Sequence, residues 1–245
     1  MISQTFIERN MTRDRYGETS PLKLNVLQRY ALRSINKHTE TIMLHSRQVG
    51  VDKLLSCICA YYMTVQHENV EIEYVDRSWD SVGRFIEKCI RKIDKFPKAL
   101  QVDYVTKSPN IIRLTNGCTI YGDVVAPNRQ HAEKVLCSKQ PNIVIVNNAG
   151  WIAHMAEAWP VMMGIAARAY QQKDPLYKMI IASSGGSGDT WFQNTWNDTM
   201  MGQTGFTPLY MHYDYLNEDE YMNADTIKNL TASHSTRMKK EFELI

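Results

Sequence analysis

Residues 41–62 read TIMLHSRQVGVDKLLSCICAYY: a short apolar run, a polar turn around Gly50, and a long apolar run. Thr41, Ile42, Met43 and Leu44 are apolar or β-branched and bounded by polar residues, which predicts a strand. Leu54, Leu55, Cys57, Ile58, Cys59, Tyr61 and Tyr62 cover nearly every face of three helical turns, which predicts a helix packed inside an α/β layer. Strand, turn and buried helix are the unit from which the rest of the chain is read.

The turn, residues 45–53, lies where a phosphate-binding loop of the form G-x-x-x-x-G-K-[ST] would lie. In such a loop backbone N–H groups and a lysine cradle phosphates, and a hydroxyl holds magnesium. Here Gly50 is kept, but Val51 and Asp52 stand where the lysine and hydroxyl belong. An aspartate in the first turn of an empty helix is favourable, since it accepts orphan N–H groups and suits the dipole. Beside a triphosphate it is not: two like charges about 5 Å apart at an effective dielectric of about 20 repel by roughly 3 kcal/mol, a hundredfold or more in affinity. Lys53 lies about 200° round the helix from Val51 and is expected on the opposite face. The loop reads as an anion site filled by its own carboxylate.

At 245 residues, with 44% hydrophobic and 22% charged residues, the chain can bury a full core as one large domain or as one domain with a small appendage. A formal net charge of +2 argues neither for nor against a nucleic-acid partner. Long apolar runs of membrane-spanning length are absent and the first twenty residues are too polar for a signal peptide, so the expectation is a soluble, intracellular protein with no membrane partner. The five cysteines, Cys57, Cys59, Cys89, Cys118 and Cys137, form no C-x-x-C and are expected to be reduced, with Cys57 and Cys59 in the core. No histidine spacing suggests a metal site.

Working outward, residues 1–21 are polar and read as an N-terminal arm. Leu24, Leu27, Ala31 and Leu32 predict a helix over 22–35, with Gln28 in its middle. Val70, Ile72 and Tyr74 alternate with Glu71 and Glu73 in a strand. Ser78 caps a helix whose apolar positions run Val82, Phe85, Ile86, Cys89, Ile90, Ile93, ended by Pro97. Its other face carries Arg84, Lys88, Arg91, Lys92 and Lys95, a solvated face by default and a candidate DNA contact. Asn116-Gly117 between two apolar runs is a hairpin signal, and a polar connector over 126–141 carries Arg129, His131, Lys134 and Lys139. The run NIVIV over 142–146 is a buried strand ending in Asn147-Asn148, turn formers by default. A helix over 153–172 is expected to be interrupted at Pro160, followed by a buried strand over 178–184, a glycine-rich turn, an aromatic helix over 189–200, a strand over 208–213 and a charged helix over 225–244. The order predicts an α/β fold with a mostly parallel sheet.

Several of these pieces, in this order, resemble the ATPase part of the large terminase subunit of tailed bacteriophages. LQRYAL with Gln28 is similar to the family's adenine-reading Q-motif. Ser46-Arg47-Gln48-Val49-Gly50 is similar to its S-R-Q-x-G-K-T loop, whose arginine acts on the γ-phosphate. KFPKAL, TNGCTI, NIVIVNN, KMIIASS and TGFTP are similar to its long-helix end, its hairpin, its Walker B strand, its coupling strand and the segment beyond. The resemblance spans residues 22–245 and implies a P-loop NTPase-like fold of the ASCE/RecA type. It also implies that the chain stops near the family's linker to its nuclease, so that the nuclease and its metal-binding carboxylates are expected to be absent.

The departures fall on the chemistry. By resemblance, Gln28, Ser46, Arg47, Gln48, Gly50, Val51 and Asp52 are vestigial nucleotide-binding positions. Arg47, Asn147, Asn148, Ala182, Ser183 and Ser184 are vestigial catalytic ones, with asparagines in place of the Walker B aspartate and glutamate. Losing a general base costs about 10² to 10⁴ in rate, and losing phosphate and magnesium electrostatics costs more. No metal site and no cofactor are expected, and Arg47 is expected to pair with a carboxylate such as Asp52. The expectation is therefore a pseudo-ATPase acting in genome packaging or a derived role through phage proteins (terminase, portal or its own copies) or DNA, in the cytoplasm of an infected bacterium. Two alternatives stand beside it: a packaging ATPase split from its nuclease that uses ATP and Mg²⁺ only with partner subunits, and a regulatory DNA-binding module.

Overall fold

The computed structural model describes residues 1–15, 18–66, 68–126, 132, 135, 140–185 and 190–212. The connector residues Arg129, His131, Lys134 and Lys139, Cys137, most of the glycine-rich turn and the expected C-terminal helix lie outside them.

The first segment differs from the expected arm. It forms α1 (Gln4–Asn10) and an antiparallel pair, β1 (Thr12–Arg15) and β2 (Glu18–Pro21). Ile2, Ile7 and Met11 are sunk in the main core. Asn36 fastens it further, its amide exchanging two 2.8 Å hydrogen bonds with the backbone of Ile2. Three well-spaced apolar side chains suffice to anchor a segment whose average composition is polar.

The helix carrying Gln28 is α2 (Val26–Lys37). It starts later than the apolar spacing suggested because Asn25 caps it: Asn25 Oδ1 accepts from the Gln28 N–H at 2.8 Å, and Gln28 Oε1 accepts from the Asn25 N–H at 3.1 Å. The deciding stretch folds as β3 (Glu40–His45), a tight turn and α3 (Val51–Tyr61), which continues into a π-helical turn over Tyr62–Gln66. Then come β4 (Glu71–Asp76) and α4 (Trp79–Ile93), capped by the Ser78 hydroxyl.

An antiparallel run follows: β5 (Tyr104–Lys107), β6 (Ile111–Leu114) and β7 (Thr119–Val124), with Gly117 at φ 82° in the turn that the Asn-Gly pair marks. β5 gave no signal in the sequence; half of its four residues are exposed. The rest is β8 (Ile143–Asn147), α5 (Met155–Gln172), β9 (Lys178–Ser183), α6 (Trp191–Met200) and β10 (Thr207–Met211). α5 runs through Pro160 without the expected interruption. Pro160 and Ala156, whose carbonyl loses its partner, both lie on the exposed face, where water replaces the missing N–H.

The eight-stranded sheet has the order β10-β3-β9-β8-β4-β7-β6-β5, parallel from β10 to β7 and antiparallel beyond. Its central strands are covered on both faces, which is why even Glu73 is buried despite the alternating pattern. Cys57, Cys59, Cys89 and Cys118 are buried free thiols. The C-terminal ends of β3, β8, β9 and β4 meet at one edge, the place where parallel sheets bind ligands. No helix among the described residues is long and apolar enough to cross a membrane.

Candidate functional site

A cleft of about 720 Å³ opens at that edge, bounded by the β3–α3 turn, the first turns of α3, the side of α4 and the segment after β8. Gly50 sits at φ 83° and Gln48 at φ 67°, a backbone that turns the chain sharply from strand into helix. Of the residues singled out in the sequence, Arg47, Gln48, Gly50, Val51, Asp52, Asn148 and Ser184 line the cleft. Ser46, Asn147, Ala182 and Ser183 are buried.

Val51 is only 3% exposed and packs into the core. Asp52 does not meet Arg47, as the sequence suggested. Its Oδ2 accepts from Lys88 Nζ at 2.6 Å, and its Oδ1 accepts from Asn147 Nδ2 at 3.0 Å. Tyr74 stacks flat on Phe85, ring centroids 3.7 Å apart, which fastens α4 to β4. Lys88, three residues beyond Phe85, is thereby delivered to the loop. The Arg47 guanidinium lies instead over the Trp151 ring, 5.7 Å from its centroid. Lys53 is not on the far side as expected: it borders the cleft, and its Nζ reaches the Lys23 carbonyl at 3.4 Å. A side chain with four rotatable carbons is not confined to the bearing of its Cα–Cβ bond.

From Asp52 the hydrogen bonds run inward without a break. The Asn147 amide also donates to the Tyr74 hydroxyl at 2.9 Å, the hydroxyl donates to Asp76 Oδ2 at 2.5 Å, and Asn148 Nδ2 donates to Asp76 Oδ1 at 3.0 Å. Asp76 also accepts from the Arg77 N–H at 2.7 Å. Both asparagines at the end of β8 are thus donors to carboxylates that other strands and helices supply. Sequence reading missed Asp76, Tyr74, Lys88 as a loop partner, and Trp151. The signal for Asp76 was its position at the C-terminal end of a buried strand.

Burial pushes the Asp76 carboxyl above its ordinary value, against the pull of its three donors. Burial also works to raise Asp52, but the hydrogen bond and charge of Lys88, with the Asn147 amide, outweigh it and hold Asp52 below the ordinary value. Because Asp52 is depressed in the fold, its contribution is complete above the unfolded carboxylate pKa and is lost as pH falls through the lower folded one. The side chains of Lys88 and Asp52 are 42% and 46% exposed, so screening keeps the pair weak. A double-mutant cycle with Asp52→Asn and Lys88→Met, read by urea unfolding, is expected to give a coupling of about 1 kcal/mol or less at neutral pH. It should vanish in acid; a coupling that persists there would mean the pair is not ionic.

Gln28 lies behind the loop, 2% exposed. Its Nε2 donates to the Gly50 carbonyl at 2.8 Å while its Oε1 belongs to the helix cap, so both ends of the amide are engaged within the chain. Ser183 Oγ accepts from the Gly150 N–H at 3.1 Å and donates to the Gly185 carbonyl at 2.5 Å, tying the end of β9 to the segment after β8. Of the basic face of α4, Lys88, Arg91, Lys92 and Lys95 line the cleft, whereas Arg84 pairs with Asp80 on the exposed side. Among the described residues no group of three or more His, Cys, Asp and Glu is placed to hold a metal. The carboxylate in the loop is committed to Lys88 and Asn147, and the one below it to Tyr74 and Asn148.

The fold is similar to that of several solved phage proteins. The large terminase of bacteriophage HK97 superposes with a TM-score of 0.66 at 12% identity, over 98% of this chain and 52% of that one. The fold is that of the terminase ATPase domain. The large terminase ATPase domain of Thermus phage P74-26 matches with a TM-score of 0.55 at 12% identity, over 88% of this chain and 87% of that one. The UvsW helicase of bacteriophage T4 matches with a TM-score of 0.52 at 9% identity, over 85% of this chain and 66% of that one. This chain spans about half the length of the HK97 terminase. No family model and no curated protein matches the sequence.

Proposed function

We propose that this chain is a terminase-type pseudo-ATPase that serves phage genome packaging, or a role derived from it, through contacts with other phage proteins or DNA rather than through ATP turnover. The single observation that carries the reading is Asp52 in the first turn of α3, held by Lys88 and Asn147 where a lysine–hydroxyl pair and a magnesium ion would act. Its neighbours support it: Val51 is turned into the core, Gln28 is closed on Gly50, and Asn147 at the end of β8 and Asn148 just after it are donors rather than acids. The likeness to large terminase ATPase domains supports the phage context; the cytoplasm of an infected bacterium is the site of action that this proposal carries with it.

Calorimetry with ATP and Mg²⁺ is expected to give no magnesium-dependent binding at millimolar nucleotide, and the protein alone to release no phosphate. Magnesium-dependent heat or turnover would overturn the reading. Turnover that arises only on mixing with a terminase or portal subunit would establish the split-motor alternative in its place.

A further inference from the structure

The cleft that no longer suits a magnesium nucleotide is strongly cationic. Arg47, Lys53, Arg77, Arg91, Lys92 and Lys95 line it together with Lys88, and among the described residues that line it Asp52 supplies the one carboxylate. These seven make up a quarter of the 28 lysines and arginines in a chain whose net charge is only +2. Lys88 answers the charge of Asp52 at 2.6 Å, and Arg91 is shared with Glu87 at 2.6 Å. His45, buried beside the loop, is pushed below its ordinary value by that burial and adds no charge at neutral pH. A concave wall of one sign, backed by low-dielectric protein, focuses its potential into the space it encloses.

We propose that this cleft binds a small oligophosphate, a di- or triphosphate chain, directly on arginine and lysine and without a divalent metal. The proposal rests on the preceding reading of the loop as closed, and it moves the anion away from Gly50 toward α4. About 720 Å³ suits a small molecule. The cations converge from four places in the chain: the β3–α3 turn (Arg47), α3 (Lys53), the residue just after β4 (Arg77), and one side of α4 and its C-terminal extension (Arg91, Lys92, Lys95). Guanidinium and ammonium groups pair with phosphate oxygens without help from a metal.

The magnesium dependence is opposite in sign to that of a motor ATPase. A divalent ion on the phosphate chain removes the charge that the lysines and arginines read, so magnesium weakens binding. The test is calorimetric titration of the full chain with sodium tripolyphosphate in EDTA at low salt, then with excess Mg²⁺, then with ATP and a short oligothymidylate. Binding of tripolyphosphate is expected in EDTA, weakened by magnesium, with ATP no tighter than tripolyphosphate. Lys92→Glu with Lys95→Glu should weaken it about tenfold or more, and Asp52→Asn, which releases Lys88, should tighten it.

Circular dichroism checks that the variants fold, and Arg168→Glu, exposed on α5 and outside the cleft lining, serves as the control that leaves affinity unchanged. Absence of heat with tripolyphosphate in EDTA, tightening by magnesium, or indifference to the double charge reversal would overturn the proposal, as would binding confined to the oligothymidylate. Failure here is distinct from failure of the pseudo-ATPase reading, which falls only to magnesium-dependent ATP binding or turnover.

Discussion

Asn147→Asp is expected to destabilise the protein by about 3 kcal/mol at neutral pH. Asn147 is 1% exposed, and its amide donates both to Asp52 at 3.0 Å and to the Tyr74 hydroxyl at 2.9 Å. An aspartate there has no N–H to give and sets a second carboxylate at hydrogen-bond distance from the first. The pair relieves itself by keeping a proton, so one carboxyl rises above its unfolded value. A raised carboxyl favours the fold below its unfolded pKa and loses that advantage as pH rises through the folded one, so the deficit against wild type grows with pH. Urea unfolding at neutral and acid pH reads both effects. Adding Asp52→Asn in the same chain should recover most of the loss, since the amide it introduces can donate to the carboxylate now on β8, the same bond in reversed polarity. If Asn147→Asp unfolds like wild type, the asparagine is a turn former and the two departures from the motor pattern are independent.

That coupling explains why the site was only half legible in the sequence. The absence of the lysine, the hydroxyl and both acids was plain, because each position can be judged alone against the loop pattern. What replaced them was not, since Asp52, Tyr74, Asp76, Lys88 and Asn147 come from two helices and two strands and meet only once Phe85 has stacked on Tyr74. The pairing of Asp52 with Arg47 was the natural guess from proximity in the chain; a lysine 36 residues away took it instead.

The fold was clearer for the same reason in reverse. The Asn116-Gly117 hairpin, the Ser78 cap and the apolar run of β8 are local signals that tertiary structure had no cause to override. The N-terminal segment escaped notice because Ile2, Ile7 and Met11 are too few to raise its average hydropathy, yet each is buried. Pro160 misled because the rule against proline in helices assumes a backbone carbonyl with no access to water, and here the carbonyl faces solvent.

Gly50→Ala is expected to cost about 3 kcal/mol, and the way that cost is shared with Gln28 decides what the glutamine is for. At φ 83° an alanine carries the left-handed penalty of about 1 kcal/mol. A Cβ there would also overlap Gln28 Nε2. Gln28 cannot simply swing aside, because its other end holds the N-terminus of α2 and its donor is the partner of the Gly50 carbonyl at 2.8 Å. Moving it breaks a buried hydrogen bond and adds about 1–3 kcal/mol. In a Gln28→Ala background that overlap is gone, so adding Gly50→Ala should cost only the left-handed penalty of about 1 kcal/mol. The difference between the two backgrounds, read by chemical denaturation, measures the clamp. An equal cost in both would mean that Gln28 does not hold the loop and is free to contact a ligand, as it does by resemblance in an adenine-reading helix. A cost that falls with the glutamine gone means that Gln28 fixes the turn.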